Sequence, residues 1–153
     1  MRIIVLTLIP ILTAAIGYIF SLKYRQTKDF WDKFEFWHKK IKAEIAFSQK
    51  SLPEILSGNE QNDVFLIAAN EYLTEKKIKV NLAFLSKEEV AFLHKYLQNL
   101  GKTDKSSQVD LLNSFEPELE NFLRIADGNN KKYRQVLVKL GFLFGLIVFI
   151  LAI

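Results

Sequence analysis

The chain has no cysteine. That excludes a disulfide framework and any thiolate metal site, and it fits a reducing cytoplasm. Histidine is scarce: the chain has two, His38 and His94. Each lies among lysines on an expected helix, and neither has a carboxylate at the spacing of a known metal motif, so a satisfied or exposed histidine is the plainer reading. A glycine-rich phosphate loop, HExxH, GxSxG and a Walker lysine are all missing. So are repeats of solenoid period and low-complexity tracts. With no catalytic constellation in 153 residues, the expectation is a protein that is not an enzyme and has no cofactor or metal. No RNA- or DNA-binding motif accompanies the net charge of +4 and the pI near 9.2. That charge reads as topology signals and contact with anionic membrane lipids, with no nucleic acid as partner.

The next absence is local. Residues 140–153 carry no charge, and eleven of the fourteen are Leu, Ile, Val or Phe. On an insertion scale those eleven contribute roughly −3 to −7 kcal/mol. Val136, Leu137 and Val138 extend the run to eighteen residues, interrupted only by Lys139, whose stem can snorkel to the headgroups. A transmembrane helix over 136–153 is expected; the competing reading is a greasy terminal helix buried in a soluble core. Residues 3–22 also lack charge, with Pro10 and Gly17 as tolerated interruptions. The expectation is a second span over 1–22. Its rival is a secretory signal peptide, with Arg2, an apolar run and small residues at Thr13-Ala14-Ala15. Lys23, Arg25 and Lys28 follow the first span, and Lys131, Lys132, Arg134 and Lys139 flank the second. Both clusters border the middle, so the positive-inside rule places residues 23–135 in the cytoplasm.

That middle is long enough to bury a core. Phe30, Phe34, Trp37, Ile41 and Ile45 repeat at helical spacing, and Trp31, Phe36, Ala43 and Phe47 widen the apolar side. A helix over 23–48 therefore continues out of the first span, with its aromatics as a packing seam. Ser51-Leu-Pro-Glu54 is a capping box that starts a short helix, ended by Gly58-Asn59. A helix over 64–77 follows, with Val64, Ile67, Ala68, Glu71 and Tyr72 at helical spacing. Residues 78–85 alternate like a strand but have nothing to pair with, so loop or helix end is expected. Ser86-Lys-Glu-Glu89 caps a helix that stops at Gly101, burying Val90, Leu93, Leu97 and Leu100. Asp104 or Ser107 caps the last long stretch, striped by Val109, Leu112, Leu119, Phe122, Leu123 and Ala126. Pro117 is expected to kink or restart that helix. Asp127-Gly-Asn-Asn130 reads as a turn by propensity, though spacing leaves its conformation open. The fold class is thus all-α: a helical bundle over 23–135 flanked by N- and C-terminal transmembrane helices. One motif carries mechanism. Gly141-Phe-Leu-Phe-Gly145 is GxxxG, which lets another helix approach closely in lipid. Its partner is either the first span, through Gly17 and Ala14, or a second protein; a second copy of the chain, giving a homo-oligomer, falls under the latter.

Taken in order, these features resemble the stage III sporulation protein AB family. The resemblance covers nearly the whole length. It rests on Gly17-Tyr18 late in the first span, Arg25 after it, Ala43-Glu44-Ile45 leading to Ser51-Leu52-Pro53, Leu100-Gly101 with Asp104 and Gln108, and Leu140-Gly141-Phe142-Leu143 with Gly145. Pro117 and Gly128-Asn129-Asn130 depart from it, because the resemblance implies unbroken helix there. It also implies a protein required for sporulation, in the membrane of the mother cell facing the forespore. The implied setting is a channel complex beside other subunits and a secretion-type ATPase, the stage III sporulation protein AA. The cytoplasmic part is similar to the helical domain of general secretion protein F, the platform of type II secretion and type IV pilus machines. The expected role is a non-enzymatic membrane platform that docks the ATPase, with Glu44, Asp104 and Gln108 as candidate docking residues. The bland alternatives are a helix cap for Asp104 and a surface charge for Glu44. A membrane-bound enzyme using His38 and His94, and a small pore former, are the rivals from other classes.

Overall fold

In the computed structural model the aromatic stripe of the middle segment lies on a helix that starts far upstream. The structure describes residues 2–48, 50–57 and 63–152, with the side chains of 2–10, 14, 151 and 152 outside that description. Helix α1 is Arg2–Phe47, α2 Leu52–Ile55, α3 Val64–Glu75, α4 Lys87–Asn99 and α5 Lys105–Ala152. No strand occurs among the described residues, and the chain is all-α. Pro10 and Gly17 do not break α1. The chain divides into two units. One joins the residues up to Lys28 with those from Ile125 onward; the other is Asp29–Arg124.

In the Asp29–Arg124 unit, each short helix begins where a side chain satisfies the free N–H groups of a first turn. Ser51 starts α2, its own N–H bound by the Glu54 carboxylate at 2.7 Å. The Gly58-Asn59 stop lies outside the described residues. Asp63 starts α3, with its Oδ1 accepting from the Leu66 N–H at 3.1 Å. Lys76 ends that helix in the left-handed conformation at φ 58°. The Glu71 carboxylate then gathers the Lys79 and Val80 N–H groups at 2.7 and 2.9 Å, which holds 76–86 as an ordered loop. Ser86 and Glu89 form a complete capping box for α4. Gly101 follows α4 at φ +75°, where a side chain would be strained.

The core of this unit is aromatic. Phe30, Trp31, Phe34, Trp37 and Ile41 of α1 are at most 3% exposed. Phe34 stacks on Phe65 of α3 at 4.4 Å between ring centres and meets Tyr96 of α4 edge-on at 4.7 Å. Trp31 stacks on Phe122 of α5 at 4.8 Å. Each such pair adds about 0.5–1.5 kcal/mol beyond its buried area. Two faces differ from the periodicity reading. On α3 the buried residues are Phe65, Leu66, Ala68 and Ala69, a face rotated from the expected one. On α1, Phe36 and Phe47 point outward, 51% and 93% exposed.

The break expected at Pro117 does not occur, because α5 runs through it. Leu112, Phe115 and Leu119 are buried on either side and hold the helix in place. Pro117 and Asn113, whose carbonyl loses its partner, are both exposed, so water can replace the lost bond. The helix also continues through Asp127-Gly-Asn-Asn130. A Lys131–Asp127 ion pair at 2.6 Å, one helical turn long, spans this stretch. Ala126 is buried just before it and Tyr133 is packed just after it, so tertiary contacts override local propensity.

In the other unit the two helix ends run antiparallel. Position 17 of α1 lies against Leu137–Val138, while Tyr24 stacks on Tyr133 at 5.0 Å. Residue numbers on α1 therefore rise as those on α5 fall. What packs here is small: Gly17, Ser21 and Gly145 are buried. What faces outward is large. Ile11, Leu12, Ile16, Ile19 and Phe20 are 52–66% exposed, and Leu143, Phe144, Ile147 and Ile150 are 53–69% exposed. Among the described residues, α5 is the helix long and apolar enough to cross a membrane, and its most apolar stretch is 6% buried. The chain does not tuck that tail into its own interior.

Candidate functional site

Two places in the Asp29–Arg124 unit combine polar groups with a cleft. The first lies where α1, α4 and α5 meet. His38 of α1 is 1% exposed. Its Nδ1 is 3.2 Å from the Tyr96 hydroxyl on α4, and its Nε2 is 3.6 Å from Glu116 Oε1 on α5. That same oxygen accepts from Lys42 Nζ at 2.7 Å. The lysine bond holds the Glu116 carboxyl below the usual range. Burial pulls His38 below its ordinary 6.5, against the opposing pull of Glu116. Burial also pushes the Tyr96 phenol up, so it stays protonated. A groove of about 130 Å³ opens beside His38, lined also by Glu35, Lys39, Glu116, Glu120 and Leu119. Sequence spacing foretold none of this, since Tyr96 and Glu116 come from distant helices. His94, by contrast, is exposed.

The second place is a 210 Å³ cleft between the end of α1, the start of α2 and the α4–α5 turn. It has an apolar floor of Ile45, Leu52 and Ile55 and a rim carrying Lys50 and Lys105. The three candidate docking residues all lie near it, but they differ in what they present. Glu44 is partly exposed and pairs with Lys50 at 3.4 Å. The Ser48 hydroxyl, then Lys50, hold its carboxyl low. Asp104 is exposed and starts α5. Its carboxylate accepts from the Ser106 hydroxyl at 2.7 Å and the Ser107 N–H at 3.3 Å, and bonds from Ser107 and Ser106 hold it at about 2. Asp104 thus acts as a cap. Gln108 is 2% exposed. Its oxygen accepts from the Gly101 N–H and the Thr103 hydroxyl, both at 3.1 Å, and its amide donates to the Asn99 carbonyl at 3.4 Å. It ties the end of α4 to the start of α5 from inside, and in this conformation it offers nothing to a partner.

The candidate helix-packing glycines belong to the other unit. A methyl group on Gly17 would lie 2.5 Å from the Leu137 carbonyl oxygen, so only glycine permits this approach. With position 17 against 137–138 and Tyr24 stacked on Tyr133, Gly141 falls beyond Gly17 toward the start of α1. Gly141 is half-buried and Gly145 buried. The Ala14 side chain lies outside the described residues. Ser21, one turn after Gly17, is also buried, and its hydroxyl donates to the Tyr18 carbonyl at 2.7 Å. Gly17 and Ser21 thus form a small-xxx-small pair that the sequence reading missed. The signal was the spacing of four between two small residues. Among the described residues, no three metal-ligating side chains converge.

A bundle of helices closed on an aromatic core, with a pair of helix ends whose apolar side chains face outward, defines an all-α protein equipped for membrane association. Residues 2–153 match the family described as stage III sporulation protein AB, and the chain belongs to that family. It is a sporulation family and not a known enzyme family. No curated protein and no solved structure matches the chain.

Proposed function

We propose that this protein is a non-enzymatic membrane platform subunit of a sporulation channel complex. The membrane-facing helices anchor it in the mother-cell membrane facing the forespore, and the Asp29–Arg124 bundle docks a cytoplasmic ATPase of the stage III sporulation protein AA type. The observation that supports this most is the outward apolar face on both helices of the terminal unit, with Leu143, Phe144, Ile147 and Ile150 more than half exposed. Such a face is stable in lipid and unstable in water. Membership of a sporulation family supports the setting. The basic flanks, Lys23 to Lys28 and Lys131 to Lys139, favour a cytoplasmic bundle. The docking face of this reading is the 210 Å³ cleft together with Glu44, which pairs with its rim residue Lys50, and Asp104 at the start of α5, while Gln108 braces it from within.

The test uses full-length protein in nanodiscs and the purified ATPase. Retention of the ATPase is expected, weakened by a Glu44→Lys, Asp104→Asn double variant that removes both negative charges while asparagine keeps the α5 cap and with it the melting temperature. No retention at all would end the platform reading, whereas unchanged retention by the variant would end only the choice of face. A protease map of intact cells checks topology, with cleavage expected between residues 23 and 135 only from the cytoplasmic side.

A further inference from the structure

The proposed platform role leaves one buried ionisable group unused. We propose that His38 is a proton-operated joint, in which one added proton rewires the contacts of α1 with both α4 and α5 and loosens the bundle in mild acid. The geometry carries this. Tyr96 is buried and meets no other acceptor among the described residues, so its hydroxyl donates to His38 Nδ1 and leaves the imidazole hydrogen on Nε2. That Nε2 is buried without a hydrogen-bond partner. Its nearest acceptor, Glu116 Oε1, stands at 3.6 Å and is already held by Lys42. The groove beside it gives the Glu116 carboxylate room to move.

A second proton on the ring must go to Nδ1. Tyr96 then turns from donor to acceptor, and its own hydrogen is left buried with no acceptor. At the same time the imidazolium pulls Glu116 toward Nε2, so that one carboxylate is shared between His38 and Lys42. The charged and titratable groups around the ring are Glu35, Lys39 and Lys42 on α1, Tyr96 on α4, and Glu116 and Glu120 on α5. The lysines oppose the new charge, Glu116 favours it, and burial against it prevails. The folded state therefore prefers the neutral ring. Stability is level above the unfolded-state value of 6.5 and falls as pH drops below 6.5 toward the lowered folded value. Each unit of depression corresponds to a tenfold shift in the ratio of folded to unfolded chain.

The chain suits the measurement. Both tryptophans, Trp31 and Trp37, lie in this bundle, so indole fluorescence of full-length protein in detergent reports its melting alone. Between about pH 7.5 and about pH 5.5, a range in which histidine titrates, the melting temperature of the native chain is expected to drop by several degrees. His38→Gln flattens that dependence and His94→Gln leaves it. Nitrogen NMR of the native protein is expected to show an Nε2–H tautomer for His38 and a midpoint below 6.5. Tyr96→Phe, which removes the donor to the neutral ring, raises that midpoint, and Glu116→Gln lowers it. An undiminished pH dependence in His38→Gln, an Nδ1–H tautomer, or a midpoint at or above 6.5 overturns the proposal. The NMR readouts stand even if His38→Gln fails to fold.

Discussion

The two units of this chain solve opposite packing problems with the same pair of long helices. Between Asp29 and Arg124, α1 turns its largest side chains inward: Trp31, Phe34 and Trp37 are at most 1% exposed. In the terminal unit, α1 turns its smallest inward, and Phe20 and Ile19 stand more than 60% exposed. Each pattern is the one a different solvent favours. In water, burying large apolar surface is the main driving term. In lipid that term vanishes, and helices associate through the close backbone approach that small residues allow.

This contrast can be broken from either side. The largest effect belongs to Phe34→Ala, which removes a ring touching Trp31, Phe65, Phe92 and Tyr96. A loss of about 3–5 kcal/mol is expected, read by indole fluorescence during urea unfolding. Cross-linking between cysteines placed at Tyr24 and Tyr133 should persist in that variant, and the lack of native cysteine keeps the assay clean. Gly17→Leu should give the reverse pattern. Its side chain meets the Leu137 backbone, so cross-linking falls severalfold while the bundle's unfolding curve stays put. If either variant damages both units equally, the division between them is wrong.

Three smaller substitutions sharpen the comparison. Ser86→Ala should lose about 1 kcal/mol, the worth of an N-cap. Glu89→Ala should lose more, because the Trp31 indole N–H, bound to that carboxylate at 2.7 Å, becomes a buried orphan costing a further 1–3 kcal/mol or so. Equal losses in the two variants would show that the Trp31 bond is worth nothing. In the terminal unit, Gly128 sits in a helix where an added Cβ would meet nothing within 4 Å. Gly128→Ala should therefore stabilise by about 0.5–1 kcal/mol, seen as a raised thermal midpoint of helicity in detergent.

Much of the architecture was legible because it is written in short-range signals. The α1 stripe and the Ser86–Glu89 box needed only spacing. The all-α class and the apolar ends needed only composition. What escaped was long-range. The indole bonds of Trp31 to Glu89 and Trp37 to Asp63 join residues 58 and 26 apart. The His38 cluster likewise depends on three helices meeting. Gln108 was a candidate docking residue on the strength of the resemblance; its burial follows from the loop it ties. Pro117 misled, and the stretch around Gly128 stayed open, because propensity is a weak prior once Phe115, Leu119 and Ala126 are packed.

Those two indole bonds have a consequence for assembly. Trp31 and Trp37 are six residues apart on one helix, and each holds the carboxylate at the start of a different later helix, Glu89 of α4 and Asp63 of α3. Helix α1 is made first and acts as a ruler, its two marks about 9 Å apart. A one-residue insertion between positions 31 and 37 would turn one indole by about 100° relative to the other. One later helix would then begin out of step with its neighbour, although every residue of both helices remained unchanged.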